Sequence, residues 1–236
     1  MRAARCGPAG GRALASAYSV GGLPGWRGPH AGSWSVRRRV PTMRDALRTS
    51  ADKERPVPHI EITSDLPGIS GLFAQRPDTG AVLSQLAETL LRSGSSPLDP
   101  GERELIAAYV SHLNRTAFCA ASHGAFAAAQ LDGGAELVTA VLTDVDTAPV
   151  RPLIRALLRV AAETQAKAAP VSDEAIAAAR AEGATDAHIH DTVLIAAAFA
   201  MFNRYVNGLA TDLPSDPSFY DVAADLIVHH GYGAAR

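Results

Sequence analysis

Residues 114–123 read Asn114-Arg115-Thr116-Ala117-Phe118-Cys119-Ala120-Ala121-Ser122-His123, and the fold follows from how this stretch joins its neighbours. Upstream, Asp99-Pro100-Gly101-Glu102 is a helix start, with an aspartate to accept free amides, proline at the first helical position and an acid in the first turn. That helix runs to about Leu113. Thr116 can cap another, reaching about Leu131 before Asp132-Gly133-Gly134 stops it. Cys119 then holds the third helical position, where unpaired amides and the positive dipole end favour a thiolate. His123 comes one turn later on the same face. Glu104 lies on the preceding helix, across a break able to fold it back towards the thiol. A carboxylate, an imidazole and a thiol so placed form a workable proton relay, in which His123 or a bridged water takes the proton and Glu104 orients or accepts. Taken alone, Cys-x-x-x-His has a blander reading: a small hydrophobe and a satisfied polar neighbour in an alanine-rich helix.

The same grammar extends outward. Asp78 or Thr79 can cap a helix to about Arg92, with Val82, Leu83, Leu86 and Leu90 as its apolar stripe. Further helices are predicted over 136–143, 149–168, 172–182, 187–207 and 218–229, each with a capping residue at its start. Strict alternation is nowhere sustained, so the fold class is all-α. Alanine-rich faces such as Ala125–Ala129 and Ala196–Ala200 favour close-packed helices. The longest apolar run, Val193–Phe202, is too short to span a membrane and reads as a buried core helix.

Leu105-Ile106-Ala107-Ala108 followed by Asn114-Arg115 recurs as Leu194-Ile195-Ala196-Ala197 followed by Asn203-Arg204, at a constant offset of 89. The paired Asn-Arg at equal spacing points to two related helical units. In the second copy the places of Glu104, Thr116, Cys119 and His123 hold Val193, Tyr205, Gly208 and Asp212. The reactive set is kept in the first copy and the second reads as scaffold.

Nine of the 22 basic side chains, but only Asp45 of the 24 acidic ones, fall within residues 1–50. The remaining 13 basic and 23 acidic groups make an acidic body, which argues against a nucleic-acid groove there. Residues 1–42 are rich in Gly, Arg, Pro and Ser without apolar periodicity and read as a disordered basic head. A solvated tail, an organellar transit peptide and a gene-model extension with Met43 as the true start all remain open for it. Residues 43–77, with Pro56 and Pro58, read as an extended connector, and residues 78–236 as the helical domain. Two cysteines, Cys6 and Cys119, make no disulfide framework and suit a reducing, cytoplasmic location. His188-x-His190-Asp191 places its histidines on different helix faces, so a helix start is expected rather than a metal site. His112 is expected to approach the relay or to lie at the surface. Arg115 and Arg204 are expected in capping or ion-pair roles. No metal or cofactor is called for.

Glu104-Leu105-Ile106 through Ser111-x-x-Asn114, then Cys119 and His123, resembles the signature helix pair of the alkylhydroperoxidase D-like and carboxymuconolactone-decarboxylase-like superfamily, in its peroxidase-related branch. The block from Asp191 to Phe199, followed by Phe202-Asn203-Arg204-Tyr205-Val206-Asn207-Gly208-Leu209, is similar to that branch's other characteristic segment. The resemblance spans about Ile60 to Tyr232. It implies an all-helical bundle assembled as a trimer or hexamer, with Glu104 as relay carboxylate, Cys119 as the thiol nearer the catalytic histidine, and His123 as that histidine. The fuller family pattern is Cys-x-x-Cys, and Thr116 stands at the lost resolving-cysteine position; Phe118 stands where some members have a second histidine. A hydroxyl cannot resolve a sulfenic acid, so the usual internal disulfide cannot close. Three functions follow as expectations. One is a single-cysteine thiol peroxidase resolved by an external thiol, with Cys6 a remote alternative resolver. Another is an acid–base decarboxylase of a small carboxylated lactone, with Glu104 and His123 as proton shuttles. The third is a non-enzymatic member of the fold.

Overall fold

Helix starts and stops dictate the order of elements in the computed structural model, which describes residues 57–233. Among these residues the chain is helical without strands: α1 Gly68–Gln75, α2 Pro77–Arg92, α3 Pro100–Leu113, α4 Ala117–Ala128, α5 Gly134–Thr143, α6 Pro152–Ala166, α7 Asp173–Ala181, α8 Asp186–Gly208 and α9 Phe219–His230. The basic head, and with it Cys6 and the start of the connector, lie outside the described residues. No helix here is long and apolar enough to cross a membrane.

α3 is the axis of the bundle. Every residue from Gly101 to Ser111 is buried, and the helix packs against α4, α6 and α8. A helix enclosed on all sides must be apolar or must pair its polar groups. α3 does both. Leu105, Ile106 and Val110 join Leu157 and Leu158 of α6 and Ile195 and Phe199 of α8 in the core. Ala107, Ala108, Ala161 and Ala196 are fully enclosed and let the three helices approach closely. The run Glu102-Arg103-Glu104 is buried as well, and each member has a partner. Glu102 accepts from the Asp99 amide at 3.1 Å and pairs with Arg151. Arg103 donates to the carbonyls of Leu90 and Ser93 at 3.2 and 3.0 Å, satisfying the C-terminal end of α2. Glu104 turns towards α4.

Two sequence expectations need correction. The connector is not extended throughout, because α1 occupies Gly68–Gln75 within it. Its sequence, Gly-Ile-Ser-Gly-Leu-Phe-Ala-Gln, contains two glycines and has little intrinsic helical tendency. Tertiary contact supplies the rest. Gly68 sits at φ +58° against the Phe118 ring, where a Cβ would come within 2.4 Å of Cγ, and its amide donates to the Asp212 carbonyl at 2.9 Å. The second correction concerns Thr116. It precedes α4, but its side chain makes no capping bond. Its hydroxyl instead accepts from Asn207 Nδ2 at 2.9 Å, which ties the start of α4 to the end of α8.

The internal repeat has a direct spatial meaning. Asn114 Nδ2 donates to Asn203 Oδ1 at 2.9 Å, so the two repeated asparagines meet. Asn203 Nδ2 donates in turn to Ser111 Oγ at 3.0 Å. The repeated arginines differ. Arg115 is exposed at φ +54°, at the break between α3 and α4. Arg204 lies within α8 and donates to the Ala200 carbonyl at 2.8 Å.

Candidate active site

The left-handed turn at Arg115 reverses the chain between α3 and α4 and brings Glu104 opposite His123. Glu104 Oε2 lies 2.7 Å from His123 Nδ1, with the carboxylate 1% and the histidine 9% exposed. A buried carboxylate held against one imidazole nitrogen fixes the ring and directs the other nitrogen elsewhere. Here the ring is also clamped by aromatic contacts. It meets Phe199 nearly edge-to-face, centroids 4.5 Å apart at 86°, and Phe126 at 5.3 Å and 73°.

His123 and Cys119 both line a cavity of about 320 Å³. Its walls are mainly phenylalanine, leucine and isoleucine side chains from α1, α4, α8 and α9, with Ser84 and Ser122 among the few polar groups. No lysine or arginine appears among the described residues that line it. α9 forms one wall through Phe219, Ala223 and Ile227, and Val222 lines the cavity while remaining well exposed, so it stands at the mouth.

The predicted residues therefore come together in part as expected. Glu104, His123 and Cys119 occupy one site, with the carboxylate bonded to the imidazole. The ionised thiol predicted at the helix mouth is overturned. Cys119 is at the third position of α4 but only 3% exposed, and burial pushes its thiol up to about 12, opposed by a hydrogen bond from Asn203. Desolvation acts on the whole charge, whereas the helix end supplies a partial one, so the thiol is neutral at ordinary pH. His112 is exposed on α3 and is not among the cavity's lining residues. His188 belongs to a capping box with Thr185, and His190 contacts Asp191 at 3.0 Å.

Two site residues escaped the reading of the sequence. Asn203 was visible only as a repeated residue, yet it is 1% exposed and reaches the thiol, Ser111 and Asn114. Tyr232 follows α9, and its hydroxyl lies 2.6 Å from Glu104 Oε1 and 3.4 Å from His123 Nδ1. The flanking Gly231 and Gly233 mark a turn near the C-terminus, but nothing in the pattern links that turn to residues more than a hundred positions earlier.

Residues 77–163, which run from α2 through most of α6 and include all three predicted site residues, match the carboxymuconolactone decarboxylase family. No curated protein matches the chain. Among solved structures, it resembles an uncharacterized peroxidase-related protein with an alkylhydroperoxidase AhpD core from Ralstonia eutropha JMP134. The two are 25% identical with a TM-score of 0.59, over 67% of this chain and 81% of that one. It also resembles an uncharacterized peroxidase-related protein from Silicibacter sp. TM1040, at 26% identity and a TM-score of 0.58, over 66% and 78% of the two chains. The helical fold is that of the alkylhydroperoxidase D-like proteins, and the segment from α2 through most of α6, which carries the Glu104–His123 contact, is the part similar to the carboxymuconolactone decarboxylase family.

Proposed function

We propose that this protein is a single-cysteine peroxide reductase that acts on organic hydroperoxides and is returned to its thiol form by an external thiol. The observation carrying this reading is the buried Glu104–His123 contact, which leaves the second imidazole nitrogen free of the carboxylate in a residue that lines the same cavity as Cys119. Because burial holds Cys119 neutral, its proton leaves as the attack proceeds rather than beforehand. His123 takes that proton as general base while Glu104 steadies the imidazolium. Sulfur bonds to the terminal peroxide oxygen, the O–O bond breaks, and the departing alkoxide receives the proton from His123. The products are an alcohol and a sulfenic acid on Cys119. With Thr116 in the resolving place, an external thiol attacks the sulfenic sulfur, releasing water and leaving a mixed disulfide. A second external thiol restores Cys119 and leaves as the disulfide of the two external thiols.

The apolar lining favours a hydroperoxide with a hydrocarbon substituent over hydrogen peroxide. The neutral thiol also suits a second reading, in which Glu104 and His123 shuttle protons on a small carboxylated lactone without the thiol. The lining gives a substrate carboxylate no lysine or arginine among the described residues, which places this reading second.

The test is consumption of cumene hydroperoxide and hydrogen peroxide with low-molecular-weight and thioredoxin-like thiols, comparing wild type with Cys119→Ser. Faster loss of the organic peroxide, a trapped sulfenic acid on Cys119 and no turnover by the variant are expected. Unmodified Cys119 with undiminished peroxide would refute the proposal. Lactone turnover surviving Cys119→Ser would establish the second reading, and inertness in both assays a non-enzymatic member of the fold.

A further inference from the structure

The C-terminal turn is fastened to α2 at several points, and each bears on where Tyr232 sits. Gly231 adopts φ +78°, and a Cβ there would lie 2.6 Å from Glu88 Oε2. The next amide, that of Tyr232, donates to the same Glu88 oxygen at 2.8 Å. Glu88 is in turn paired with Arg92 at 3.2 Å, and Arg92 donates to the Val228 carbonyl near the end of α9 at 3.1 Å. α2 therefore grips both the last turn of α9 and the residue after it.

From that anchored backbone the Tyr232 ring runs inward. It lies roughly parallel to His123, with centroids 6.3 Å apart and planes at 22°, and meets Phe126 at 6.3 Å and 71°. Its hydroxyl donates to Glu104 Oε1 at 2.6 Å, leaving Oε2 for His123. The same hydroxyl is 3.4 Å from His123 Nδ1, too long to compete with the carboxylate bond. Burial and the neighbouring carboxylate push the phenol well above its ordinary range, so it stays a donor wherever the relay would operate.

We propose that Tyr232 is the positioning residue of the relay: by holding one oxygen of Glu104, it directs the other to His123 and fixes the tautomer that presents Nε2 to the cavity. The assignment rests on the reading of Glu104 and His123 as a proton relay. It adds a part supplied from outside the family-matched segment, by a turn that follows the helix walling the cavity. Packing alone would require only the ring. A partner that orients a histidine's carboxylate requires the hydroxyl, because a carboxylate held at neither oxygen can turn away from Nδ1 and release the tautomer.

The experiment measures the rate at which iodoacetamide alkylates Cys119 across the pH range, in the full chain, read on the Cys119 peptide by mass spectrometry. This readout works whether or not the protein turns over a peroxide. Wild type is expected to show a neutral-pH rate carried by His123 and an alkaline rate carried by free thiolate. Tyr232→Phe keeps the ring and should lower the neutral rate about tenfold, with the alkaline rate unchanged. Gly231→Ala, which displaces the turn against Glu88 without touching the phenol, should lower the neutral rate in the same direction. Histidine nitrogen spectra should show the single His123 tautomer of wild type becoming a mixture in Tyr232→Phe. If Glu104→Gln and His123→Gln lower the neutral rate but Tyr232→Phe does not, the Tyr232 assignment fails and the relay stands. If Tyr232→Phe raises or lowers both rates together, its role is packing and the proposal is overturned. If Glu104→Gln and His123→Gln match wild type, the relay reading itself fails and takes the assignment with it.

Discussion

The two copies of the internal repeat begin alike and then part. In the first, α3 ends at Leu113, Arg115 turns left-handed, and α4 folds back beside α3. In the second, the corresponding Asn203-Arg204 lies in an unbroken helix that continues to Gly208. One break makes the difference between a site and a strut. In the first copy Glu104 is placed opposite a histidine across a helix pair. In the second copy the corresponding residues, Val193 and Asp212, belong to α8 and to the segment beyond it. The asparagines link the copies, since Asn114 and Asn203 bond to each other and Asn203 of the second copy also reaches the Cys119 thiol of the first. Related helical sequences thus acquire different roles according to whether the chain reverses after them.

Making the first copy resemble the second should abolish its chemistry. Glu104→Val places the second copy's residue in the relay, and peroxide turnover is expected to fall roughly 10²- to 10⁴-fold, the range for losing general acid–base assistance. Steady-state consumption of an organic hydroperoxide measures it, and a loss below threefold would separate Glu104 from the chemistry.

Cutting the link between the copies should cost stability. Asn203→Leu strands the buried Ser111 hydroxyl and the half-buried Asn114 side chain, at about 1–3 kcal/mol, read from urea unfolding. An unchanged midpoint would mean that the asparagine ladder adds nothing.

Arginine to glycine should act with opposite sign in the two copies. Arg204→Gly removes a helix-interior side chain and is expected to destabilise by about 1 kcal/mol. Arg115→Gly relieves a left-handed residue and is expected to stabilise by about 0.5–1 kcal/mol. Thermal melts of the pair test the break directly, and shifts of the same sign would contradict it.

The smallest expected effect is confined to alkaline pH. The Cys119 thiol is raised in the folded chain from about 9 to about 12, so the folded state holds its proton longer than the unfolded one. The stabilisation is complete below about 9 and is lost as pH rises towards 12. Cys119→Ala should therefore lose less of its melting temperature than wild type between neutral pH and about pH 10. Parallel curves for the two proteins would mean that the thiol is not desolvated.

Much of this was legible along the chain because it depends on local rules. Asp99-Pro100 at the head of α3, Gly133 and Gly134 at the break between α4 and α5, and the apolar periodicity of the remaining helices are short-range features. The spacing of Glu104, Cys119 and His123 was legible for the same reason, since it needs only one helix, one break and the next helix. α1 was not, because two glycines give it no helical preference and its stability comes from Phe118 and Asp212. Tyr232 was not, because its partner lies 128 residues away.

The sequence by itself determined an all-helical chain, a repeated unit and the confinement of Glu104, Cys119 and His123 to its first copy, since helix caps, period and residue type are read within a turn or two. Only the tertiary structure decided the burial of Cys119 and the hydrogen bond from Tyr232 to Glu104. A thiol's charge depends on how much water the packed helices leave around it, and a hydrogen bond between distant segments exists only once the chain has closed around both.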